Sequence, residues 1–500
     1  MMSLLGSALD LRTFLDELRR RNDLVDVAVE VDAELEVAAI CRRVYEERLP
    51  APLFGSIKHS MPGARVLGAP AGMIAKKGEE YSRLALHFGL AASSGPREII
   101  DAIRGAMKGA PIEPKRLSTG PVKENVWRDD NVDLRRFPVP LLHEEDGGRY
   151  IGTYGFHVVH SPDGEWHSWS IGRVMMVDRN KVAGPTISTQ HIGMIRQMWE
   201  KEGKATPWAF VLGGPPAAVA VAGMPLPAHV SEPGYVGALL GEAVDVVKCE
   251  TNDLWVPANA EIVLEGEISM TEQALEGPMG EYHGYQHRQG RPQPVFQVNA
   301  VTFRNKPILP ICVAGLPPEE NHTIWGTMIS AQIREDLESA GLPIDMAWCP
   351  YEAATCWAVI SVDTAGLANM NTNAKDFADR VADVFFRSHA GYLIPKLLIV
   401  GNDVDITDVD AVVWALATRS HPKHDHFAYP DLPGFPMVPY LNSDDIARGS
   451  GGNVIINCLF PEQFKGEIRA GTASFEHSYP EALKRQVLEN WTRYGFVERQ

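Results

Sequence analysis

The sequence lacks the marks of several common chemistries. It has no run of eighteen apolar residues, so no membrane-spanning helix is expected. Residues 1–11 carry no basic stretch leading into a long apolar segment, so a secretory leader is not expected either, and a cytoplasmic location is. Cysteine is scarce. Cys41, Cys249, Cys312, Cys349, Cys356 and Cys458 are scattered with no CxxC, which predicts reduced, mostly buried thiols in place of a zinc knuckle or a disulfide framework. Basic residues are in deficit, 47 against 64 acidic ones for a net charge of −17. That balance argues against nucleic-acid and anionic-membrane partners, and an anionic ligand would need a local Arg or Lys pocket. No GxGxxG follows a strand-like run, no GxSxG elbow occurs, and there is no internal repeat or low-complexity stretch. Hydride transfer to NAD and serine hydrolysis lose ground accordingly.

What is present fits a folded enzyme. Apolar residues make up 45% and charged residues 22% of the 500, a globular balance in a chain too long for one core, so two or three domains are expected. Asp10 is placed to cap a helix bearing Leu11, Phe14, Leu15 and Leu18. Residues 23–31 alternate like a strand, 35–48 read as a helix and 61–70 as strand and turn. Between 150 and 304 the pattern becomes short β-like runs, 155–160, 169–178, 208–213, 262–268 and 296–303, divided by Gly and Pro as in a barrel or sandwich. Beyond Pro343, strand-like 355–362 and 393–400 alternate with helical 374–387 and 409–418. Pro480 suits the first turn of a helix bearing Leu483, Val487, Trp491 and Tyr494, a stripe able to pack on a partner subunit or on its own.

The chemistry candidates cluster in the middle of the chain. Glu276-Gly-Pro-Met-Gly-Glu281 sets two carboxylates five residues apart, a spacing that converges only on irregular chain. Two neighbouring carboxylates repel, so one is expected to hold a proton near neutral pH. Ser168-Trp169-Ser170-Ile171-Gly172-Arg173 ends a strand-like run on a guanidinium that suits a carboxylate, from a substrate or from that pair. Gln190-His191 and Glu232 supply metal-ligand types. His421-Pro-Lys-His424-Asp425-His426 has ligand types but crowded spacing, and Gly449-Ser-Gly-Gly452 resembles an anion nest without a phosphate-loop Lys.

Taken in order, 168–173, Gln190-His191, Gly223-Met224-Pro-Leu-Pro227 leading to Glu232, the 276–281 pair, Pro395-Lys396 and 434–440 closely resemble the UbiD family of decarboxylases. The resemblance covers almost the whole chain. It implies an α+β architecture: an N-terminal α/β domain (1–115), a central split β-barrel flavin-binding domain (116–320), a linker helix (321–345) and a C-terminal α/β domain (346–500) with a terminal dimerisation helix. It implies prenylated FMN, made by a partner flavin prenyltransferase, and reversible non-oxidative decarboxylation of an aromatic or unsaturated acid to release CO2. Arg173, Glu276 and Glu281 match the family's catalytic network, with Arg173 holding the carboxylate and Glu281 donating the proton. Ser168, Trp169, Ser170, Ile171, Gly172, Arg173, Gln190, His191, Gly223, Met224, Glu232 and Lys396 match cofactor positions. Ser168, His191 and Glu232 match ligands of Mn2+ or Mg2+, and the carbonyls of Trp169, Ala222 and Met224 match a K+ site. Several members carry Asn where this chain has Ser168, which puts metal identity in question. The pocket wall falls on Asn321, His322, Thr323, Ile324, Trp325, Phe435 and Met437, most like the branch acting on pyrrole-2-carboxylate and related acids, indole-3-carboxylate among them. Asn321 either reads a ring N–H or caps a helix. The rival readings are an FMN-dependent oxidoreductase of split-barrel type and a non-catalytic scaffold; a homodimer, or a larger assembly, is expected.

Overall fold

The computed structural model describes residues 2–286, 289–467 and 472–496, with side chains from residue 5 onward. Asp10 begins the first layer. Its carboxylate accepts the Thr13 N–H at 2.8 Å, satisfying one of the orphan donors of a helix start. The helix it caps, Leu11–Arg20, buries Leu11, Phe14, Leu15 and Leu18. The strand and helix expected next are Leu24–Val27 and Glu36–Glu47, the latter ended by Arg48 at φ 51°. Leu24–Val27, Ala51–Phe54 and Arg65–Gly68 form three strands of a four-stranded sheet. The fourth is Ile308–Ile311, which returns from within the span 116–320 to run parallel to Arg65–Gly68.

The middle of the chain forms a nine-stranded antiparallel sheet, a half-barrel. Its path runs Tyr150–Gly152, Val174–Asp178, Lys181–Ala183, Arg291–Phe303, Ile262–Glu276, Thr206–Leu212, Gly155–His160 and His167–Ile171, with Asn125–Arg128 also on Arg291–Phe303. Two strand expectations are corrected. The run 169–178 is two strands that part at Gly172-Arg173, and the run 262–268 continues to Glu276. The pairing register shifts between Ile268 and Gln273, and Ser269 Oγ turns back to accept the Thr271 and Glu272 N–H groups. This irregularity breaks the alternation that marks a strand. Phe210 and Phe296 are fully buried, each contributing roughly 1.5–3 kcal/mol, and share one apolar cluster with Tyr45 and Val66 of the first layer.

The C-terminal sheet orders Ile344–Trp348, Trp357–Val362, Lys396–Gly401, Asn453–Asn457 and His426–Tyr429, and Thr327–Ser339 packs against it with Ala374–Phe385. Near the end Pro480 sits just outside the helix Glu481–Glu489. The expected helix bearing Leu483, Val487, Trp491 and Tyr494 is corrected: it ends at Glu489, and Trp491 and Tyr494 lie beyond it, Tyr494 in the turn Thr492–Tyr494, with Leu483, Trp491 and Tyr494 remaining 42%, 37% and 54% exposed. Among the described residues no helix is long and apolar enough to cross a membrane.

Candidate active site

The half-barrel brings Arg173, Glu276 and Glu281 together. Gly172 lets the chain pass the His157 ring, whose Nε2 would stand 2.6 Å from an added Cβ, and Arg173 emerges just beyond. Its Nε and Nη2 donate to the two oxygens of Glu276 at 2.8 and 3.2 Å, and its Nη1 donates to Glu281 Oε1 at 2.8 Å. The expectation of two carboxylates in direct repulsion is corrected, because the guanidinium stands between them. Burial works against the Arg173 charge, yet Glu281 and Glu276 hold its pKa above the ordinary arginine value. Tyr150 donates to Glu276 Oε1 at 2.8 Å, and burial followed by Glu276 pushes its phenol far up, so it stays a donor. Glu276 thus accepts three hydrogen bonds. Glu281 accepts one at its carboxylate, and its Oε2 meets no donor among the described residues.

The turn between the carboxylates is clamped from a neighbouring loop. Gly277 lies at φ +82°, where only glycine sits without strain. A Cβ on Gly147 would strike the Gly277 carbonyl at 2.0 Å, and the Gly147 N–H donates to Pro278 O at 2.8 Å. Asp146 Oδ1 accepts from Gly280 N and Gln286 Nε2 at 3.0 and 3.2 Å, while His143 lies 3.1 Å from Oδ2. Sequence reading missed these residues; Asp146 before a Gly pair was the available signal.

A second polar cluster gathers around the strand His167–Ile171 that precedes Arg173. His191 Nδ1 stands 2.7 Å from Glu232 Oε1, Ser168 Oγ donates to that oxygen at 3.4 Å, and Trp169 N donates to Glu232 Oε2 at 2.9 Å. Ser170 Oγ is 2.9 Å from Ser168 Oγ. His191 and Glu232 each open a helix, His191–Lys201 and Glu232–Leu240, and Gln190 is the residue before the first. The donor set is hydroxyl, imidazole and carboxylate with no thiolate, which fits a hard divalent ion such as Mn2+ or Mg2+. Ala222 ends the helix Pro216–Ala222, whose carbonyl end favours a cation. Met224 O already accepts from Leu226 N at 2.9 Å, and Leu226 O, unnoticed in the sequence, is the carbonyl that reaches His191 Nε2 at 3.0 Å. Ser168 lies on the strand His167–Ile171, which ends two residues before Arg173.

The wall residues divide. Asn321–Gly326 is a wide helical turn that leads into Thr327–Ser339. The capping expectation for Asn321 is corrected: the cap position is Glu320, and the Asn321 amide donates to the Glu319 carboxylate at 3.1 Å. His322 is fully buried, its Nδ1 accepting from Glu319 N at 2.9 Å and its Nε2 lying 2.8 Å from Tyr282 O. Thr323 and Ile324 are buried, and Trp325 meets Tyr282 edge-on at 5.4 Å. Phe435 is buried beside Tyr392, at 6.0 Å between rings, and Met437 is partly buried. Lys396 is exposed with Nζ 4.8 Å from the Tyr440 ring centroid. His389 lies with its ring 6.5 Å from that of His191. Gly449-Ser-Gly-Gly452 is a packed turn, where a Cβ on Gly451 would meet Asn453 Oδ1 at 2.4 Å. Asp425 of the His421–His426 stretch is spent on His421 N and Asn457. Among the described residues the group of His, Cys, Asp or Glu atoms within 4.8 Å of one another is Cys312, Glu319 and Glu320.

Known proteins share this arrangement of parts. The chain matches, in order, the N-terminal domain (15–103), the Rift-related domain (115–317) and the C-terminal domain (322–458) of 3-octaprenyl-4-hydroxybenzoate carboxy-lyase. It is 67% identical over 490 residues to pyrrole-2-carboxylic acid decarboxylase of Pseudomonas aeruginosa, covering 98% of this chain and 99% of that one. Ferulic acid decarboxylase 1 of Saccharomyces cerevisiae is 40% identical over 502 residues, 99% and 100% of the two chains. Among solved structures, the closed form of Sedimentibacter hydroxybenzoicus vanillic acid decarboxylase aligns with a TM-score of 0.81 at 25% identity, covering 97% and 98%. A UbiD-class enzyme from Pelotomaculum thermopropionicum in complex with FMN shares the fold with a TM-score of 0.79 at 24% identity, covering 96% and 99%. The chain belongs to the UbiD family of carboxy-lyases.

Proposed function

We propose that this carboxy-lyase removes CO2, reversibly and without oxidation, from a heteroaromatic acid such as pyrrole-2-carboxylate or indole-3-carboxylate, using prenylated FMN. The observation that carries the reading is Arg173 held at 2.8 Å from both Glu276 and Glu281, just beyond the strand that carries Ser168 of the Ser168, His191 and Glu232 cluster. Bound there, prenylated FMN supplies an electron-poor ring able to take up the electron pair left when CO2 departs. Arg173 binds the substrate carboxylate as a planar fork. Glu276, fixed by three donors, keeps that fork oriented. Glu281, with one oxygen tied to Arg173 and the other open, delivers a proton to the ring carbon.

Ser168, His191 and Glu232 would hold a divalent ion, carbonyls of Trp169, Ala222 and Met224 would hold K+, and Lys396 would offset the negative charge of the cofactor phosphate. Asn321 faces the ring of the acid, and Phe435 and Met437 close the far wall. The exposed apolar residues of the C-terminal segment, Leu483, Trp491 and Tyr494, pair two subunits, and a flavin prenyltransferase in the cytoplasm provides the cofactor. Glu281→Gln tests the proton donor: cofactor content by flavin absorbance is expected unchanged, with turnover reduced ~10²–10⁴-fold. Turnover at the normal rate removes Glu281 from the chemistry. His191→Ala is expected to strip bound flavin, and full occupancy removes its role as a ligand.

A further inference from the structure

Beneath the pocket wall a buried carboxylate controls one amide. Glu319 is fully buried and receives Cys312 Sγ–H at 2.9 Å, the Asn321 backbone N–H at 2.8 Å, and Asn321 Nδ2 at 3.1 Å on both oxygens. An ionised carboxylate only accepts, so the NH2 end of Asn321 must face Glu319 and its carbonyl oxygen must point the other way. No donor among the described residues occupies that oxygen. The two ends of an Asn amide are nearly the same shape, so only a hydrogen-bond partner can choose between them.

The face that carries Asn321 lies beside the catalytic turn. In the Asn321–Gly326 turn the partly exposed side chains are Asn321 and Trp325, four residues apart and so on one face. Trp325 lies edge-on to Tyr282, the neighbour of Glu281, and His322 ties the same turn to the Tyr282 carbonyl. Glu320 does not compete for the amide, being engaged by Tyr45 Oη and by Ala71 N at 3.2 Å.

We infer that Glu319 is a positioning residue that fixes the Asn321 carbonyl toward the pocket, so that the enzyme prefers acids bearing a ring N–H over same-shaped acids bearing a ring oxygen. This deepens the decarboxylase reading and rests on it. With the amide reversed, two donors would confront each other and the preference would invert. Burial and then Glu320 push the Glu319 carboxyl up to about 7, against hydrogen bonds from Cys312 and Asn321 that lower it, so the lock is best measured at pH 8.

The test is calorimetric binding of pyrrole-2-carboxylate and furan-2-carboxylate to the protein loaded with FMN, in the wild type, Glu319→Gln, Asn321→Ala and the double variant. The pyrrole acid is expected to bind about tenfold more tightly to the wild type, the worth of one hydrogen bond. Glu319→Gln and Asn321→Ala should each bring the ratio within about threefold of unity, and the double variant should go no further. Loosening of the fold would weaken both acids in parallel and keep the wild-type ratio in Glu319→Gln, which overturns the proposal. If Glu319→Gln does not fold, the wild-type pair decides: furan-2-carboxylate binding as tightly as the pyrrole acid overturns the orientation. A wild type that neither binds nor decarboxylates either acid sinks the substrate reading and this one together. Discrimination that survives Glu319→Gln sinks this one alone.

Discussion

Glu276 takes two N–H groups of the Arg173 guanidinium and the Tyr150 hydroxyl, while Glu281 takes one N–H. Tyr150 reaches Glu276 only, so Tyr150→Phe should loosen the fork without touching the flavin. A hydrogen bond to a charged group contributes ~1.5–3 kcal/mol, and kcat/KM should fall about tenfold or more with flavin content unchanged. An unaltered rate would reduce Tyr150 to packing. Buried histidines set an acid limit on stability. Burial holds His87 and His322 down to about 4 and His157 to about 3, below the ~6.5 of an unfolded histidine. The unfolded chain therefore binds more protons in acid. The stability these rings provide is complete above pH 6.5 and is lost as pH falls toward 4, roughly 3 kcal/mol for a ring such as His322. Burial raises the carboxyls of Glu265, Glu319, Glu320 and Asp336, which act with the opposite sign, and Glu319 loses its contribution as pH rises through about 7. His167 and His389 are lowered with the other three rings, and five rings outweigh four carboxyls, so the Tm is expected to drop between pH 6.5 and 4.5. Scanning calorimetry across that interval checks it; a Tm that climbs toward pH 4.5 contradicts the balance.

At the scale of elements, the site is a strand end, a clamped turn and two helix starts. Gly147 is the contact where turn and clamp meet, and Gly147→Ala would drive a methyl into the Gly277 carbonyl. A displacement of about 1 Å at a reacting group costs ~100-fold, so kcat should fall by that order while flavin stays bound. Steady-state rates beside flavin absorbance measure both. Arg173, Glu276 and Glu281 were legible in the sequence because each stands where Gly or Pro interrupts a strand pattern. The long Ile262–Glu276 strand was not, since Ser269 satisfies the backbone locally and hides the alternation. Asn321 looked like a cap because the sequence does not reveal that Glu319 folds back on it. Asp146 was missed for the same reason: its partners Gly280 and Gln286 lie more than a hundred residues along the chain, and His143 is known only through Asp146.

At the scale of the whole molecule, two features reach beyond one subunit or one segment. Leu483, Trp491 and Tyr494 stand in water at a cost that a second copy would remove. Leu483→Glu with Trp491→Glu should shift the mass seen by light scattering to a single chain, and a dimer that persists moves the interface elsewhere. Ile308–Ile311 gives the second feature its force. Because this late strand completes the first sheet beside Arg65–Gly68, that sheet is whole only once residues 308–311 are in the chain. Cut out and expressed alone, residues 1–115 would present a raw Arg65–Gly68 edge, open to pairing with a strand of another molecule.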